Sequence, residues 1–317
     1  MTAIDQHRSD LDRLRDDYLA LDRHLRHDHG IAAAGSRAHL DKAHQRAHHG
    51  TQPTHPTRKD TVMTAPHQLH TTLRTLKLSG MLDTLDARLA QARAGDLGHL
   101  EFLQVLCEDE IARRAAKALT RRVRRARFDE PVTLEDFDFA YNPKIPAAVI
   151  RDLAALDFVD RGEQVILYGP VGVGKTHIAQ ALGHAACRRG HNVIFAKTNR
   201  VLADLAGGHA DGSWTARLRA LARPDVLILD DFGLRDFTTG QADDFYELVC
   251  ERHRHGAMIL TSNRAPTDWY PLFPNPVVAE GILDRLVNSA HHIFLDGRSY
   301  RPNKRPDRTR DNRAETG

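Results

Sequence analysis

Long apolar runs are absent from this sequence of 317 residues. A helix that crosses a bilayer needs about 18 consecutive apolar residues, and no run approaches that length. We also expect no signal peptide ahead of the ordered pattern. Apolar residues make up 41% of the chain and charged residues 27%, a balance typical of soluble globular proteins. We therefore expect a cytoplasmic protein that does not bind a membrane.

Cysteine is also scarce. Cys107, Cys187 and Cys250 are odd in number and widely spaced, which argues against a disulfide framework and against a zinc site. Each lies in an apolar helical pattern. We therefore expect buried structural thiols.

Acidic residues are missing between Arg113 and Arg127, a stretch with eight basic residues in a chain whose net charge is only +3. Such a cluster is either a solvated face whose charge suits a helix C-terminus or a surface that binds a phosphate backbone. We favour the second interpretation. The residues that we expect to contact DNA are Arg121, Arg122, Arg124 and Arg125.

Two regions are predicted ahead of the main domain. Residues 1–62 hold nine of the 20 histidines and become polar and proline-bearing after Ala47. We expect them to be disordered or a non-native extension, with Met63 as a possible true start of translation. Residues 63–145 are expected to form a helical domain that binds DNA or a partner. Its apolar periodicity predicts helical structure from Leu69 to about residue 138, in two stretches separated near Gly95 and Gly98.

Beyond two Pro-containing dipeptides at residues 142–146, short β-rich runs alternate with helical stretches. This alternation predicts the α/β class, with helices on both faces of a mainly parallel sheet. The main domain is expected to span residues 146–301, and residues 302–317 to form a basic disordered tail. The predicted strands are Gln164–Tyr168, Asn192–Ala196, Val226–Asp230, Met258–Thr261 and His292–Leu295.

A phosphate-binding loop follows the first predicted strand. It has the spacing G-x-x-x-x-G-K-T and consists of Gly169, Pro170, Val171, Gly172, Val173, Gly174, Lys175 and Thr176. Glycines let backbone N–H groups turn toward the phosphates of ATP, and the N-terminus of the following helix adds positive potential. Lys175 is expected to reach the β and γ oxygens, and Thr176 to offer its hydroxyl to Mg²⁺.

Further polar residues follow later strands. Asp230 and Asp231 end a buried strand, where we expect Asp230 to bind Mg²⁺ and Asp231 to orient or deprotonate the attacking water. Paired acids can also cap a turn. Asn263 follows the next strand, either near the γ-phosphate or as a turn residue. Arg285 lies on an apolar helix, where a surface salt bridge with Asp284 is the ordinary alternative.

Together these motifs resemble the IstB-type transposition helper ATPases of bacterial insertion sequences, relatives of the DnaC helicase loaders. The motifs are Gly-Pro-Val-Gly-Val-Gly-Lys-Thr, Leu-Ile-Leu-Asp-Asp-Phe-Gly, Thr-Ser-Asn, Ile-Leu-Asp-Arg-Leu and Gly-Arg-Ser-Tyr-Arg. The resemblance covers about Leu69 to Arg301. It implies a P-loop AAA+ ATPase with a three-layer α/β/α domain that forms oligomers on duplex DNA and cooperates with a transposase.

By this resemblance, Asn263 is a sensor residue and Arg285 an arginine finger that reaches the ATP of a neighbouring subunit. The chain departs from the pattern in two ways. It has Asp231 where many relatives use Glu, which implies slow hydrolysis. About twenty residues remain after the last strand, too few for a helical lid, which leaves open whether Arg301 is a second sensor.

Two other enzyme or partner classes stay open at this stage. A DnaC-like loader would use its helical region to bind a replicative helicase instead of DNA. A P-loop small-molecule phosphotransferase would use Arg285 as a substrate clamp, although no acceptor site is evident. An inactive ATP-binding scaffold is disfavoured, because Lys175, Thr176, Asp230 and Asp231 are all present.

Overall fold

The computed structural model describes residues 65–304 and the side chains of residues 68–302. The predictions for residues 1–62 and for most of the basic tail lie outside the described residues. The helices, in chain order, are α1 (Ala65–Thr75), α2 (Ser79–Arg93), α3 (His99–Ala126), α4 (Ala147–Leu153), α5 (Asp157–Asp160), α6 (Lys175–Arg189), α7 (Thr198–Asp211), α8 (Trp214–Ala222), α9 (Thr239–Arg252) and α10 (Pro276–Val287). Short 3₁₀ segments lie at Pro266–Asp268, Tyr270–Leu272 and Arg301–Lys304.

Five parallel strands form one sheet. They are β1 (Gln164–Tyr168), β2 (Val193–Lys197), β3 (Val226–Phe232), β4 (Ala257–Ser262) and β5 (Ala290–Phe294). Their order across the sheet is β2-β3-β4-β1-β5, and every pair is parallel. The predicted α/β class and parallel sheet are confirmed, and each strand lies within about two residues of its expected position.

Both faces of the sheet are buried. Along β1, Val165 and Leu167 belong to one apolar core, which also contains Ile178 of α6. Ile166 points to the other core, which Phe245 of α9 and Ile282 of α10 complete. This alternation is the two-residue period of a strand, and helices on both faces account for the almost continuous apolar character of the strand sequences.

The helices before the sheet differ from the prediction at Lys77, between the first two helices. A single stretch was expected through Leu76, but the structure breaks it into α1 and α2 at Lys77, whose φ is 58°. The Leu78 N–H donates to Leu73 O at 2.9 Å and the Lys77 N–H donates to Arg74 O at 3.1 Å. This is the Schellman pattern of a helix end, formed here without the glycine that usually marks it in a sequence.

The third helix ends where the basic cluster predicted a helix end, but the helical pattern that was expected to about residue 138 does not continue beyond it. α3 stops at Ala126 because Arg127 is left-handed, with φ of 59°, and the chain from there to residue 146 has no regular helix or strand. This irregular segment crosses the mouth of the phosphate loop and becomes one wall of the site described below. The turn between α2 and α3, by contrast, contains the predicted Gly95 and Gly98.

The thiols are less uniformly buried than we expected. Cys187 is buried within α6, whereas Cys107 in α3 and Cys250 in α9 are partly exposed. None of the three forms a disulfide. Among the described residues, no helix has the length and apolar character needed to cross a membrane.

Candidate functional site

The phosphate loop connects β1 to the start of α6. Two of its glycines have left-handed backbones, with φ of 84° at Gly172 and 104° at Gly174. A Cβ atom at Gly174 would lie 2.4 Å from Phe137 Cε2, and one at Gly172 would lie 2.1 Å from Ser299 Oγ. Only glycine satisfies both the conformation and the close packing at these positions.

Lys175 begins α6 and is largely buried, with 8% of its surface exposed. Its ammonium donates to Gly169 O at 2.8 Å and to Pro170 O at 2.6 Å. Burial lowers the pKa of Lys175 to about 8, against the opposing attraction of Asp230 and Asp231. The Lys175 ammonium is therefore shielded from water at the base of the loop. The negative charge of a bound phosphate would stabilise the charged form of this lysine.

Asp230 is fully buried at the end of β3 and is surrounded by hydroxyl groups. The Thr176 hydroxyl donates to Asp230 Oδ1 at 2.8 Å. The Thr261 hydroxyl donates to the same oxygen, and the Thr198 hydroxyl donates to Asp230 O at 2.9 Å. The structure therefore brings together Thr176 and Asp230, the two residues that the sequence predicted to hold a metal ion.

These oxygen donors fit Mg²⁺. Among the described residues there is no cluster of three or more acidic, histidine or cysteine side chains that could hold a metal. Mg²⁺ does not need one, because proteins usually bind it through one or two carboxylates together with substrate phosphates and water. The Thr176 hydroxyl and the Asp230 carboxylate are hard oxygen ligands of this kind.

Asp231 has a strained backbone. Its φ is 57°, and the pairing of β3 with β4 shifts register between Leu229 and Phe232. Successive side chains of a regular strand point to opposite faces of the sheet. The irregularity at Asp231 breaks that alternation, so that Asp230 and Asp231 contact the same ammonium group. Asp231 is partly exposed and lines the cavity beside the loop.

That ammonium belongs to Lys197, which the sequence analysis did not single out. Lys197 ends β2 and is in register with Asp230 on β3. Its Nζ contacts an oxygen of Asp230 and lies 3.2 Å from Asp231 Oδ2. Burial opposes the charge of Lys197, but the hydrogen bonds and attraction of both carboxylates raise its pKa overall. The sequence does contain a signal for this residue, because a lysine at the end of a buried parallel strand lies close to the ends of the adjacent strands.

A cavity of about 660 Å³ joins these groups. The phosphate loop from Val171 to Thr176, Lys197, Asp231 and Asn263 line it, so Asn263 lies where the sequence predicted. The opposite wall comes from the irregular segment after α3 and includes Phe137 and Tyr141. The cavity therefore has a polar end at the carboxyl ends of the strands and an aromatic end under the irregular segment.

Residues 296–301, which we call the C-terminal strap, lie directly on the phosphate loop. The Tyr300 N–H donates to Gly172 O at 2.9 Å. Asn142 holds the strap from the other side, because its amide donates to Arg298 O and its carbonyl accepts from the Arg298 N–H, both at 2.9 Å. Arg301, at the end of the strap, lines the cavity. Its positive charge repels the Lys175 ammonium and so helps to lower the pKa of Lys175.

Other predicted residues lie elsewhere. Arg285 is not part of the cavity wall in the described part of the chain. It donates to Gly281 O at 2.7 Å, and its guanidinium lies 5.5 Å from the Tyr246 ring. The alternative salt bridge with Asp284 is not found among the described residues, and Asp284 accepts from Asn288 instead. The arginines at the end of α3 are also outside this cavity.

Comparison with known proteins places the chain in a family. The family model for IstB-like ATP-binding proteins matches residues 71–307. Rv3427c of Mycobacterium tuberculosis, named as an ATP-binding protein in an insertion sequence, is 67% identical over 242 residues, which cover 76% of this chain and 96% of that protein. A protein of Pseudomonas aeruginosa named as an ATP-binding protein of insertion sequence IS21 is 37% identical over 235 residues, 74% of this chain and 89% of that protein.

Two of the solved structures that match part of this chain do so at low identity. DnaI matches with a TM-score of 0.47 and 22% identity over 52% of this chain and 92% of its own. The DnaC helicase loader matches with a TM-score of 0.41 and 21% identity over 47% of this chain and 88% of its own. The family model, which spans residues 71–307 of 317, confirms the resemblance that the motifs indicated: the chain belongs to the IstB-like ATP-binding proteins.

Proposed function

We propose that this protein binds ATP with Mg²⁺, hydrolyses it, assembles as an oligomer on duplex DNA and assists the transposase of an insertion sequence. The observation that carries the proposal is the convergence of Lys175, Thr176, Asp231 and Asn263 on one cavity, with Asp230 directly behind it. The names of the relatives, which refer to ATP binding and to insertion sequences, support the same conclusion.

The triphosphate lies along the loop in this proposal. Backbone N–H groups and the N-terminus of α6 bind the phosphate oxygens, and the Lys175 ammonium turns from Gly169 O and Pro170 O to the β and γ oxygens. Phe137 and Tyr141 offer aromatic surface to the adenine base at the other end of the cavity.

Thr176 and Asp230 hold Mg²⁺, which neutralises charge that builds up on the phosphates during the reaction. Asp231 is the only carboxylate of the pair that lines the cavity. It orients the attacking water and accepts its proton, and Asn263 binds the same water or the γ-phosphate. Arg285 lies outside its own cavity, so in this proposal it acts on the ATP of an adjacent subunit.

DNA binding is assigned to the basic end of α3. Arg121, Arg124 and Arg125 are exposed there, whereas the Arg122 Nε donates to Cys187 O at 2.9 Å. A helix end that carries several guanidinium groups attracts a phosphate backbone without reading its base sequence. Assembly on DNA then brings each Arg285 to a neighbouring nucleotide, and hydrolysis depends on DNA.

The proposal is tested by measuring ATP turnover with and without duplex DNA over about 50 to 200 mM salt. We expect stimulation by the duplex that declines steeply with salt, because the contacts are electrostatic. Lys175→Ala is the control for contaminating ATPases. An ATP turnover that does not change with DNA but increases with a replicative helicase would contradict this proposal and indicate a helicase loader. Transfer of phosphate to a small molecule would indicate a phosphotransferase.

A further inference from the structure

Two side chains of α6 hold the irregular segment that forms the aromatic wall of the nucleotide cavity. Gln180 Oε1 accepts from the N–H of Asp129 at 2.8 Å and from the N–H of Glu130 at 3.1 Å. One turn later, His184 Nε2 lies 3.3 Å from Glu130 O, and its ring stacks on Phe128 with the centroids 4.0 Å apart. Both residues support the wall, but of the two it is Gln180 that lines the cavity.

The two backbone N–H groups fix the orientation of the Gln180 amide. An N–H group donates to the oxygen of a side-chain amide and not to its nitrogen, so Oε1 faces the segment and Nε2 points away from it. Gln180 is only 2% exposed, and within residues 68–302 its Nε2 has no hydrogen-bond partner. A nearly buried donor of this kind favours an acceptor, and the cavity is the space that can admit one.

The other side-chain donors of this wall already have acceptors. His177 Nε2, Tyr141 Oη and Asn142 Nδ2 each lie 2.9–3.1 Å from a backbone carbonyl oxygen. The acidic residues of the irregular segment that line the cavity supply acceptors instead: they are Asp129, Glu130, Asp136 and Asp138. Gln180 Nε2 is therefore an uncharged donor that the wall keeps available for a ligand.

This combination suits the edge of adenine, which carries an amino group that donates beside ring nitrogens that accept. Carboxylate oxygens can accept from the amino group, whereas a ring nitrogen needs a donor. The Phe137 ring lies 5.3 Å from the His177 ring, about one turn of α6 before Gln180. The aromatic surface and the amide donor are therefore neighbours along α6.

We propose that Gln180 recognises the nucleotide base, with its Nε2 donating to a ring nitrogen of adenine while the base stacks on Phe137. One side chain then has two roles, because its oxygen supports the wall and its nitrogen selects the base. This inference rests on the proposed function, since it names a residue that recognises the ATP bound in the same cavity.

Deaza analogues of ATP test the hydrogen bond, because each replaces one ring nitrogen by CH and leaves the phosphates unchanged. The affinities of the full chain for ATP, 1-deaza-ATP, 3-deaza-ATP and 7-deaza-ATP are measured by competition with a fluorescent, non-hydrolysable ATP analogue. We expect the wild type to bind at least one deaza analogue about three- to tenfold more weakly than ATP, the usual effect of losing one neutral hydrogen bond.

Gln180→Glu separates recognition of the base from support of the wall. One carboxylate oxygen can still accept from the N–H groups of Asp129 and Glu130, while the other replaces the donor. At about pH 8 the carboxyl is ionised, because the two N–H donors stabilise its charged form. Its oxygen repels the lone pair of the ring nitrogen, so the preference should reverse, and the weakly bound analogue should bind more tightly than ATP. Gln180→Met, which has neither group, should bind the two nucleotides equally.

His184→Ala is the matched control. It removes the contact with Glu130 O and the stacking on Phe128, so it weakens the support of the wall without changing a cavity residue. We expect it to keep the wild-type ratio of affinities for ATP and the analogue. A control that loses this ratio as fully as Gln180→Met would show that Gln180 only supports the wall.

The failures are distinguishable. A wild type that binds no ATP contradicts the proposed function itself. A wild type that binds ATP and all three deaza analogues equally overturns the base contact alone. A Gln180→Glu variant that keeps the wild-type ratio of affinities also overturns it, because the donor would then have no part in selecting the base.

Discussion

The hydroxyl of Thr176 donates to the buried carboxylate of Asp230 at 2.8 Å, which joins the first turn of α6 to the end of β3. The two residues are 54 positions apart in the chain. Their contact holds the start of α6 against the carboxyl end of β3. It also aligns two oxygen ligands before a metal ion binds. Such preorganisation reduces the cost of assembling the site around the nucleotide.

Asp230→Asn tests the metal ligands. The amide has nearly the shape of the carboxylate and can still accept from Thr176, but it carries no charge for Mg²⁺. We expect the gain in ATP affinity on adding Mg²⁺ to be lost and turnover to fall at least about 100-fold, comparable to the removal of a major electrostatic group. Titration calorimetry with and without Mg²⁺ checks this. An unchanged dependence on Mg²⁺ would show that Asp230 is not a ligand.

The lowered pKa of Lys175 predicts that the affinity for ATP depends on pH. Its pKa of about 8 in the free protein lies below the ordinary value for lysine, because burial disfavours the charged form. The triphosphate requires the ammonium, so binding takes up a proton when the pH is above about 8. The affinity for ATP should therefore fall as pH rises from 8, approaching about tenfold per pH unit. Equilibrium binding of a non-hydrolysable analogue measures this.

Lys175→Arg provides the control for that titration, since a guanidinium group stays charged throughout the range. The variant should bind more weakly, because its geometry differs, but with an affinity that changes little with pH. A wild-type affinity that remained constant well above the pKa of Lys175 would contradict the assigned role of its charge.

Asn142→Ala tests the C-terminal strap. Asn142 is 6% exposed and makes two hydrogen bonds to the backbone of Arg298. Its removal leaves buried polar groups without partners, which costs about 1–3 kcal/mol of unfolding free energy. Thermal melting should decrease by several degrees, and ATP affinity should fall because the strap contacts Gly172.

Tyr141→Phe is the milder companion of that variant, because it removes only the hydrogen bond from the Tyr141 hydroxyl to Ser299 O at 3.1 Å. We expect a smaller loss of both stability and affinity. Should Asn142→Ala melt at a lower temperature yet bind ATP as tightly as the wild type, the strap would stabilise the fold without shaping the loop.

Arg285→Ala tests whether the finger acts on a neighbouring subunit. The variant should bind ATP and hydrolyse it at a strongly reduced rate, by about 10³-fold or more if Arg285 has the role of an arginine finger. Lys175→Ala should bind no ATP, but its Arg285 can still act on ATP that is bound to a neighbouring subunit. A mixture of the two inactive variants on DNA should regain part of the turnover. A mixture that stays inactive, or a single variant with normal turnover, would exclude action between subunits.

The strands and the phosphate loop could be predicted because their signals are local. Apolar β-rich runs such as Val165 to Tyr168 identify buried strands, and the spacing of glycines before Lys175 identifies the loop. The paired acids at Asp230 and Asp231 were predicted in the same way. Each of these features depends on residues that are adjacent in the chain.

The features that were missed depend on tertiary contacts or on backbone conformation. Lys197 meets the two carboxylates only because β2 and β3 pair in a particular register. The strap depends on Asn142 and Arg298, which are 156 positions apart. The break at Lys77 and the bulge at Asp231 place non-glycine residues in a left-handed conformation, for which the sequence carries little signal.

Phosphate release from ATP by Asp231→Asn, compared with the wild type in the presence of Mg²⁺ and duplex DNA, tests the central claim most directly. The account predicts that the variant binds ATP as tightly as the wild type, while its turnover is lower by about 100-fold to 10,000-fold, the usual contribution of a general base. Equal turnover in the two proteins would contradict the claim that hydrolysis takes place at this pair of strand ends.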